Sequence, residues 1–509
     1  MISKKIALLI GLVFCLGAVS KAQNLTIHTA VAPAPKAGTM FIFPERMLLP
    51  DGELLTAERA TMFVPLNRSN KNTDVIGLDV YRFQRNEKAN PETPPIFFLH
   101  GGPSFQGVPS RLTSLDAFQK KYGYLLDVSD VVIVSQRGIG TSMPKTIVNK
   151  NDYKTAPDEA YNEEKAVAHL KELLTKERQV WEDFGVDLKG FTVLEAAEDI
   201  NDVRKALGYD KISLAGGSFG SHWGFTLMRE HPEIISRVVF TGCEGPDHTY
   251  DDPGYAWNVF KRMAEEAEEA EELKGLIPEG GLVAAVKTII KRAKEKPFTV
   301  EVTNPATNKV QKVLIDEHVA KKLARGYSND YTAWPADIIK LYNGEFDEAA
   351  KSIVDKYNKG TAKYRTASYF MLDCGSGITP GRLAKQLADP ANEILGKMNW
   401  NYIKGCDCWD SDLGNDFRQN FESEIPIVII HGTWDRSTPL ENAQELVPYF
   451  KNATFIPLKR GPHDSLSAGI DVSKEFKTAL LKFLETGDAS GIDTNMELPP
   501  VKWIVPELK

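Results

Sequence analysis

The sequence predicts an α/β fold: a mostly parallel sheet flanked by helices, carrying a large, mainly helical lid insertion. Three observations predict it. Short, wholly apolar runs occur at 96–99, 131–134, 212–215, 238–240 and 425–430; a capped amphipathic helix leads directly into one of them; and across 247–420 the strand–helix alternation stops. Runs apolar at every position belong to strands buried on both faces, the pattern of a parallel sheet covered by helices.

The N-terminus carries Lys4 and Lys5, an apolar run at 6–19 and then Ser20-Lys21-Ala22, the layout of a secretory signal peptide with a small-x-small cleavage site. The mature chain is expected to start near Gln23 and to be secreted or periplasmic. Bulky Phe14 before Cys15 argues against lipid attachment there, and no later stretch reaches the roughly 20 apolar residues of a spanning helix, so no stable membrane anchor is expected. Loss of Lys4, Lys5 and Lys21 takes the formal charge from −8 to −11, a poor balance for binding nucleic acid. With 42% hydrophobic residues, the mature chain has material for a large core and more than one domain.

Alternating segments at 60–64 and 75–83, separated by the polar stretch 67–73, read as a hairpin that opens the fold. The helix before the run at 212–215 places Val193, Ala196, Ile200, Val203 and Leu207 on one face. Thr192 and Glu195 form a capping box at its start, and Gly208 suits a left-handed stop. A right-handed crossover then puts the turn after 212–215 at the carboxyl edge of the sheet. Within 247–420, amphipathic helices are expected at 255–273 and 332–357, with a hairpin of 298–302 and 310–315 between them. The glutamate-rich run 265–272 reads as a solvated helix face. No internal repeat is present. The expected organisation is a signal peptide (1–22), a first part of the core (23–246), a lid (247–420) and a second part of the core with a C-terminal tail (421–509).

Gly216-Gly217-Ser218-Phe219-Gly220 lies between a predicted strand and a predicted helix, the context that gives G-x-S-x-G its chemical meaning. Small residues must flank the serine because backbone and helix nearly touch there. His100-Gly101-Gly102-Pro103 follows the run 96–99, so the backbone N–H groups of Gly102 and Phe219 are candidates to hold a developing oxyanion. His100 precedes the serine and reads as a loop-shaping residue. Asp435 follows the run 425–430, and His463 lies beyond a strand at 453–458. Serine, acid, histidine is the order in which this elbow recruits its partners, and the lid accounts for the long interval before Asp435. Serine needs a base to take its proton, and that imidazole needs a carboxylate to hold its tautomer; Ser218, His463 and Asp435 fill those roles. His222, His231 and His431 are set aside as helix or strand-end residues, and Asp410 and Asp412 as lid residues. Glu244 and Asp247, just after the run 238–240, are candidates to bind a substrate ammonium group.

Cleavage leaves Cys243, Cys374, Cys406 and Cys408, an even number that suggests disulfides in an oxidising compartment. A direct bridge from Cys406 to Cys408 would strain the loop, which favours Cys374 bonding to one of the two. Cys-x-Cys alone lacks the paired spacing of a zinc module, so no metal is expected.

These motifs resemble the proline iminopeptidase and tripeptidyl aminopeptidase group of α/β-hydrolases. The resemblance covers most of the mature chain: the opening strands at 60–83, His-Gly-Gly-Pro, Ser135-Gln136-Arg137-Gly138-Ile139-Gly140-Thr141-Ser142, the segment 191–208, the elbow, and the acid and base segments. It implies an α/β-hydrolase fold and an exported serine aminopeptidase acting near the free N-terminus of short peptides, with no cofactor. An esterase or amidase acting on small acyl compounds uses the same triad, and a non-catalytic binding protein the same fold. Ser135 stands where the family commonly has aspartate, Ser104 replaces a glycine, and Phe219 a frequent tyrosine; the first two shape the entrance. Cys374 and Cys408 resemble the half-cystines of the longer, secreted tripeptidyl branch, which implies that pairing.

Overall fold

The apolar runs assemble into one nine-stranded sheet. Its strands are β1 (Met40–Leu48), β2 (Leu54–Pro65), β3 (Val75–Phe83), β4 (Ile96–Leu99), β5 (Val131–Val134), β6 (Ile212–Ser218), β7 (Ile235–Cys243), β8 (Ile427–Gly432) and β9 (Ala453–Leu458). Their spatial order is β1-β2-β3-β5-β4-β6-β7-β8-β9. The first three and β5 pair antiparallel, and from β5 to β9 every pairing is parallel. The structure is a computed structural model that describes residues 35–103, 114–139, 142, 147–150, 155–303, 308–328, 330–358 and 363–509. The signal peptide reading, the mature start, and Ser104, Gly140 and Thr141 fall outside these residues. No described helix is long and apolar enough to cross a membrane.

Burial explains the parallel half: β4, β5 and β8 are buried along their whole length, and each Val, Ile or Phe so placed contributes roughly 1.5–3 kcal/mol. β8 starts two residues later than its sequence suggests. Pro426 has no N–H to donate to a ladder; its carbonyl instead accepts from Val238 N at 3.0 Å, just ahead of the paired stretch.

Helices α1 (Glu163–Asp183), α2 (Val193–Ala206) and α3 (Phe219–Glu230) belong to this layer. α2 buries Val193, Ala196, Ile200 and Val203, as its spacing requires, and Thr192 caps it by accepting from Glu195 N at 3.3 Å. The reciprocal half of the capping box is absent. The Glu195 carboxylate turns to Arg68, accepting from its backbone N at 2.7 Å and its guanidinium at 2.5 Å.

The Gln-Arg-Gly motif is a structural hub. Arg137 has no exposed side-chain surface; it donates to both oxygens of Asp199 at 2.5 and 2.7 Å and to the carbonyls of Leu66, Gly190 (2.7 Å) and Pro65 (2.8 Å). It thereby ties β2 to α2. Asp199 keeps Arg68 at 2.9 Å, but the carbonyls of Leu66 and Gly190 lose this buried donor and the packing of the side chain is lost, so Arg137→Ala is expected to lower unfolding free energy by about 2–4 kcal/mol, measured by urea titration. No change in the urea midpoint would show the hub to be dispensable.

The lid has its own apolar core. Helix α4 (Pro253–Glu268) supplies Trp257, Phe260 and Met263, α5 (Gly281–Glu295) supplies Leu282, Val286 and Ile289, and α6 (Trp334–Tyr342) and α7 (Asp347–Asn358) supply Ile338, Ile339 and Val354. The segment expected as one helix over 332–357 is two, α6 and α7, broken at Gly344 with φ 88°. The hairpin of Phe298–Thr303 and Val310–Ile315 forms as expected. The acidic run is more than a solvated face: Glu266 pairs with Arg460 at 2.5 Å, Glu268 caps α5 through Leu282 N at 2.7 Å, and Glu272 accepts from Trp503 N at 3.0 Å. Helix α8 (Ala367–Ser376) packs instead with the sheet-side cluster, through Phe370, Met371 and Leu372, and α9 (Pro380–Ala388) follows it.

The disulfide differs from the expected Cys374–Cys408 pair: Cys374 bonds to Cys406, with Cα atoms 5.3 Å apart. Cys406 and Cys408 share a single 3-10 turn, in which residues two apart point in different directions. Cys406 faces α8. Cys408 faces α1, its Sγ 3.5 Å from the Lys171 carbonyl and 3.4 Å from the Thr175 hydroxyl, and it is free, as is buried Cys243.

Candidate active site

β6 runs into α3 with no intervening loop, so Ser218 takes the whole change of direction at φ 56°, ψ −139°. A non-glycine residue so placed stores on the order of 1–3 kcal/mol of strain, which the surrounding structure must hold. Gly220 makes the turn feasible, since a Cβ there would lie 2.1 Å from the Leu99 carbonyl oxygen. Ser221 braces the turn, donating to the Ser218 carbonyl at 2.6 Å while accepting from Glu244 N at 2.9 Å.

The acid and base arrive on the loops after β8 and β9. Asp435 is fully buried; its carboxylate accepts from Ser437 N and Thr438 N at 2.9 Å, from the Thr438 hydroxyl at 2.7 Å, and from His463 Nδ1 at 2.9 Å. Burial opposes its ionisation, but the hydrogen bond and charge of His463 outweigh that and hold the carboxyl below its ordinary range. The reverse holds for His463. Burial disfavours its cation, yet Asp435, and more weakly Asp464 and Asp251, raise its pKa above 6.5. The ring packs on Gly242, where a Cβ would lie 3.0 Å from its Cε1 and Nδ1, and the next residue, Cys243, is the ladder partner of Ser218. Ser218, Asp435 and His463 therefore gather at one edge of the sheet.

A base must be neutral to accept a proton, so kcat/KM is expected to fall as pH drops through the His463 pKa, with the acid limb above pH 6.5. A pH–rate profile with its limb below 6 would contradict this. The same pair contributes to stability. Its His463 part is fully present below pH 6.5 and lost as pH rises through the raised value; its Asp435 part is present above pH 3.8 and lost as pH falls through the lowered one.

Directly after β4 the chain passes against the serine: a Cβ on Gly101 would sit 2.8 Å from Ser218 Cβ and 3.3 Å from its Oγ. Gly102 follows at φ 141°, and Phe219 is the first residue of α3. The loop is held from below, where Gln136 donates to the His100 carbonyl at 3.1 Å and the Tyr122 hydroxyl lies 2.9 Å from His100 Nε2. His100 thus shapes the loop.

The three histidines set aside in the sequence are held in structural contacts. His222 joins the Gly245 carbonyl (3.0 Å) to the Ser376 hydroxyl (2.8 Å), and burial pushes its pKa down to about 4. His231 pairs with Glu198 at 2.7 Å. His431 accepts from Cys243 N at 3.1 Å, donates to the Thr438 carbonyl at 2.5 Å, and so ties β7 to the loop carrying Asp435.

Of the two acids predicted after β7, one turns away. Both oxygens of Asp247 are taken by Thr379, the N-cap of α9, at 2.8 Å from its N and 2.6 Å from its hydroxyl, which makes Asp247 a lid-hinge residue. Glu244 stays at the sheet edge, its carboxyl pushed well above the usual range by burial, then by Asp373 and Asp251. Asp251 is raised to about 6 by burial, tempered by the Asn399 amide and Arg325, and lies within electrostatic reach of Asp435 and His463. Sequence reasoning missed Asp251 and Asp373. The one trace was Asp251-Asp252-Pro253: Asp252 alone caps α4, accepting from Gly254 N at 3.0 Å, so its neighbour is left for another task. Among the described residues, no three His, Cys, Asp or Glu side chains group to hold a metal ion.

A serine strained between a parallel strand and the helix it feeds, served from two later strands, marks an α/β hydrolase. Residues 94–467 match the alpha/beta hydrolase fold family, and the chain belongs to it. Over 164 residues it is 26% identical to a proline iminopeptidase of Neisseria meningitidis serogroup A, covering 32% of this chain and 37% of that protein. The chain thus spans little more than a third of that relative's length. Over 413 residues it is 22% identical to a tripeptidyl aminopeptidase of Streptomyces coelicolor, covering 77% of this chain and 74% of that protein. A solved esterase from Exiguobacterium antarcticum is 14% identical, aligned over 83% of this chain and 99% of its own with a TM-score of 0.34.

Proposed function

We propose that the protein is an exported serine aminopeptidase that hydrolyses amide bonds near the free N-terminus of short peptides. Ser218 Oγ attacks the scissile carbonyl as His463 Nε2 takes its proton, and the N–H groups of Gly102 and Phe219 receive the negative oxygen. The imidazolium returns the proton to the leaving amine, and water then releases the acyl group by the same route.

The observation that carries this reading is Glu244, directly after the ladder partner of Ser218, with Asp373 and Asp251 within its electrostatic reach. The Glu244 carboxyl, raised by burial and then by Asp373 and Asp251, is stabilised as an anion by an arriving cation, and a peptide's α-ammonium supplies one. The names of the relatives support the same reading. The test is a panel of free and amino-blocked mono-, di- and tripeptidyl amides set against simple esters. Free peptides are expected to turn over best, and Glu244→Gln to raise KM for them. Faster cleavage of blocked peptides or esters would overturn the reading.

A further inference from the structure

The two loops that carry the acid and the base are fastened to each other. Thr433 N donates to the Leu458 carbonyl at 3.0 Å, Trp434 N to the Gly461 carbonyl at 3.0 Å, and Arg460 N to the Thr433 hydroxyl at 2.9 Å. The loops lie so close that a Cβ on Gly432 would sit 2.0 Å from the Gly461 carbonyl oxygen. Asp435 follows Trp434 directly, and His463 lies three positions beyond Arg460. Arg460 has φ 62°, a left-handed backbone that a residue with a side chain keeps only where its surroundings hold it.

The lid supplies much of that hold. Along α4, Asn258, Arg262 and Glu266 recur every four positions and so share one face, while Trp257, Phe260 and Met263 are buried in the lid core. Glu266 accepts from Arg460 Nε at 2.5 Å, and Arg460 Nη1 donates to the Leu498 carbonyl at 2.6 Å. One turn back, Arg262 Nε donates to the Thr433 carbonyl at 3.0 Å, and its two outer nitrogens donate to the Glu441 carboxylate at 2.9 and 3.2 Å. Asn258 donates to the same carboxylate at 3.0 Å. Glu441 lies three positions beyond Thr438, which donates to the Asp435 carboxylate. The helix therefore grips the acid loop on both sides of Asp435, at Thr433 and Glu441, and grips the base loop at Arg460, just ahead of His463.

We propose that Arg262 and Glu266 are positioning residues for hydrolysis: through them helix α4 sets the spacing between Asp435 and His463, which makes the lid part of the catalytic frame. This rests on the Ser218–His463–Asp435 triad and not on the choice of peptide over ester as substrate. Neither side chain touches the reacting atoms; each acts through the loop it grips. Arginine is needed at 262 because one side chain has to reach Thr433 and Glu441 together, which its planar fork does and a lysine does not. A displacement of about 1 Å between catalytic groups is enough to cost roughly a hundredfold in rate. The charged groups that face His463 are Asp435, Asp464, Asp251 and His431, and of these only Asp435 lies between the two grips of Arg262. Releasing the grip weakens the hydrogen bond from His463 Nδ1 to Asp435, and the imidazole then loses its proton at lower pH.

The test reads Ser218 directly with a small alkyl fluorophosphonate: the serine oxygen bonds to phosphorus, fluoride leaves and His463 takes the proton. The second-order rate of inactivation is followed from about pH 5 to about pH 9. In the Arg262→Ala, Glu266→Ala double variant the alkaline plateau is expected to fall by about tenfold to a hundredfold and the acid limb to move to lower pH, with KM for the best-cleaved substrate within about twofold of the wild type. Arg262→Lys, which keeps the charge without the fork, recovers part of the loss seen in Arg262→Ala. If the double variant does not fold, Arg262→Lys decides alone: a lowered plateau with the limb moved the same way upholds the proposal, and wild-type values overturn it. In the folded double variant, a rate loss with the limb unmoved also overturns it, as does a lower urea midpoint with both readings unchanged, the result of a merely structural grip. The fluorophosphonate has no amino end and no peptide bond, so a failure of the aminopeptidase reading shows in the substrate panel and leaves this result standing.

Discussion

Ser218→Ala is expected to lower kcat by about a millionfold while leaving the folded state in place, because the residue supplies the attacking oxygen and nothing nearby substitutes for it. Among the described residues, the hydrogen bonds that brace the turn are made by the Ser221 hydroxyl. Alanine occupies the same strained φ of 56°, so urea or thermal midpoints should move little. His463→Ala is expected to cost a similar factor, and the double variant little more than either alone, since a nucleophile without its base and a base without its nucleophile fail at the same step. Full additivity of the two losses would show that they do not act as one unit.

Asp435→Asn tests the tautomer argument and is expected to cost about ten-thousandfold in kcat. The carboxylate accepts from His463 Nδ1–H, which leaves Nε2 free to take the serine proton. An asparagine amide in its place donates to Nδ1 and moves the ring proton to Nε2, where it blocks the transfer. Asparagine retains one oxygen for Ser437 N and Thr438 N, so the loop should survive the exchange. The substitution also removes the charge that holds the His463 pKa up, so whatever activity remains should show its acid limb at lower pH than the wild type. Wild-type turnover in Asp435→Asn would assign the acid's role elsewhere.

Much of the site was legible because its signals are local. The elbow is written in five consecutive residues, of which Gly216 and Gly220 are kept small by the Leu99 carbonyl and Gly217 by that of Thr241, and the acid and histidine follow strands recognisable by their apolar runs. The assignments that needed correction turn on direction in space. Cys406 and Cys408 have equal claims in the sequence, and the orientation of one 3-10 turn decides between them. Asp247 and Glu244 lie three positions apart after the same strand; Asp247 is spent on Thr379, at the start of a helix more than a hundred residues away. The break between α6 and α7 was visible as Gly344, but an amphipathic pattern runs through it, and only packing shows that the chain turns there.

By itself the sequence determined the layered sheet, the elbow and the order of its three reacting groups, because hydrophobic period and tight-turn sterics act over a few residues at a time. Tertiary structure alone decided which acids gather near Glu244 at the sheet edge. Asp251 and Asp373 lie far apart in the chain and carry no motif; burial and the approach of distant segments to Glu244, which exist only in the folded chain, single them out.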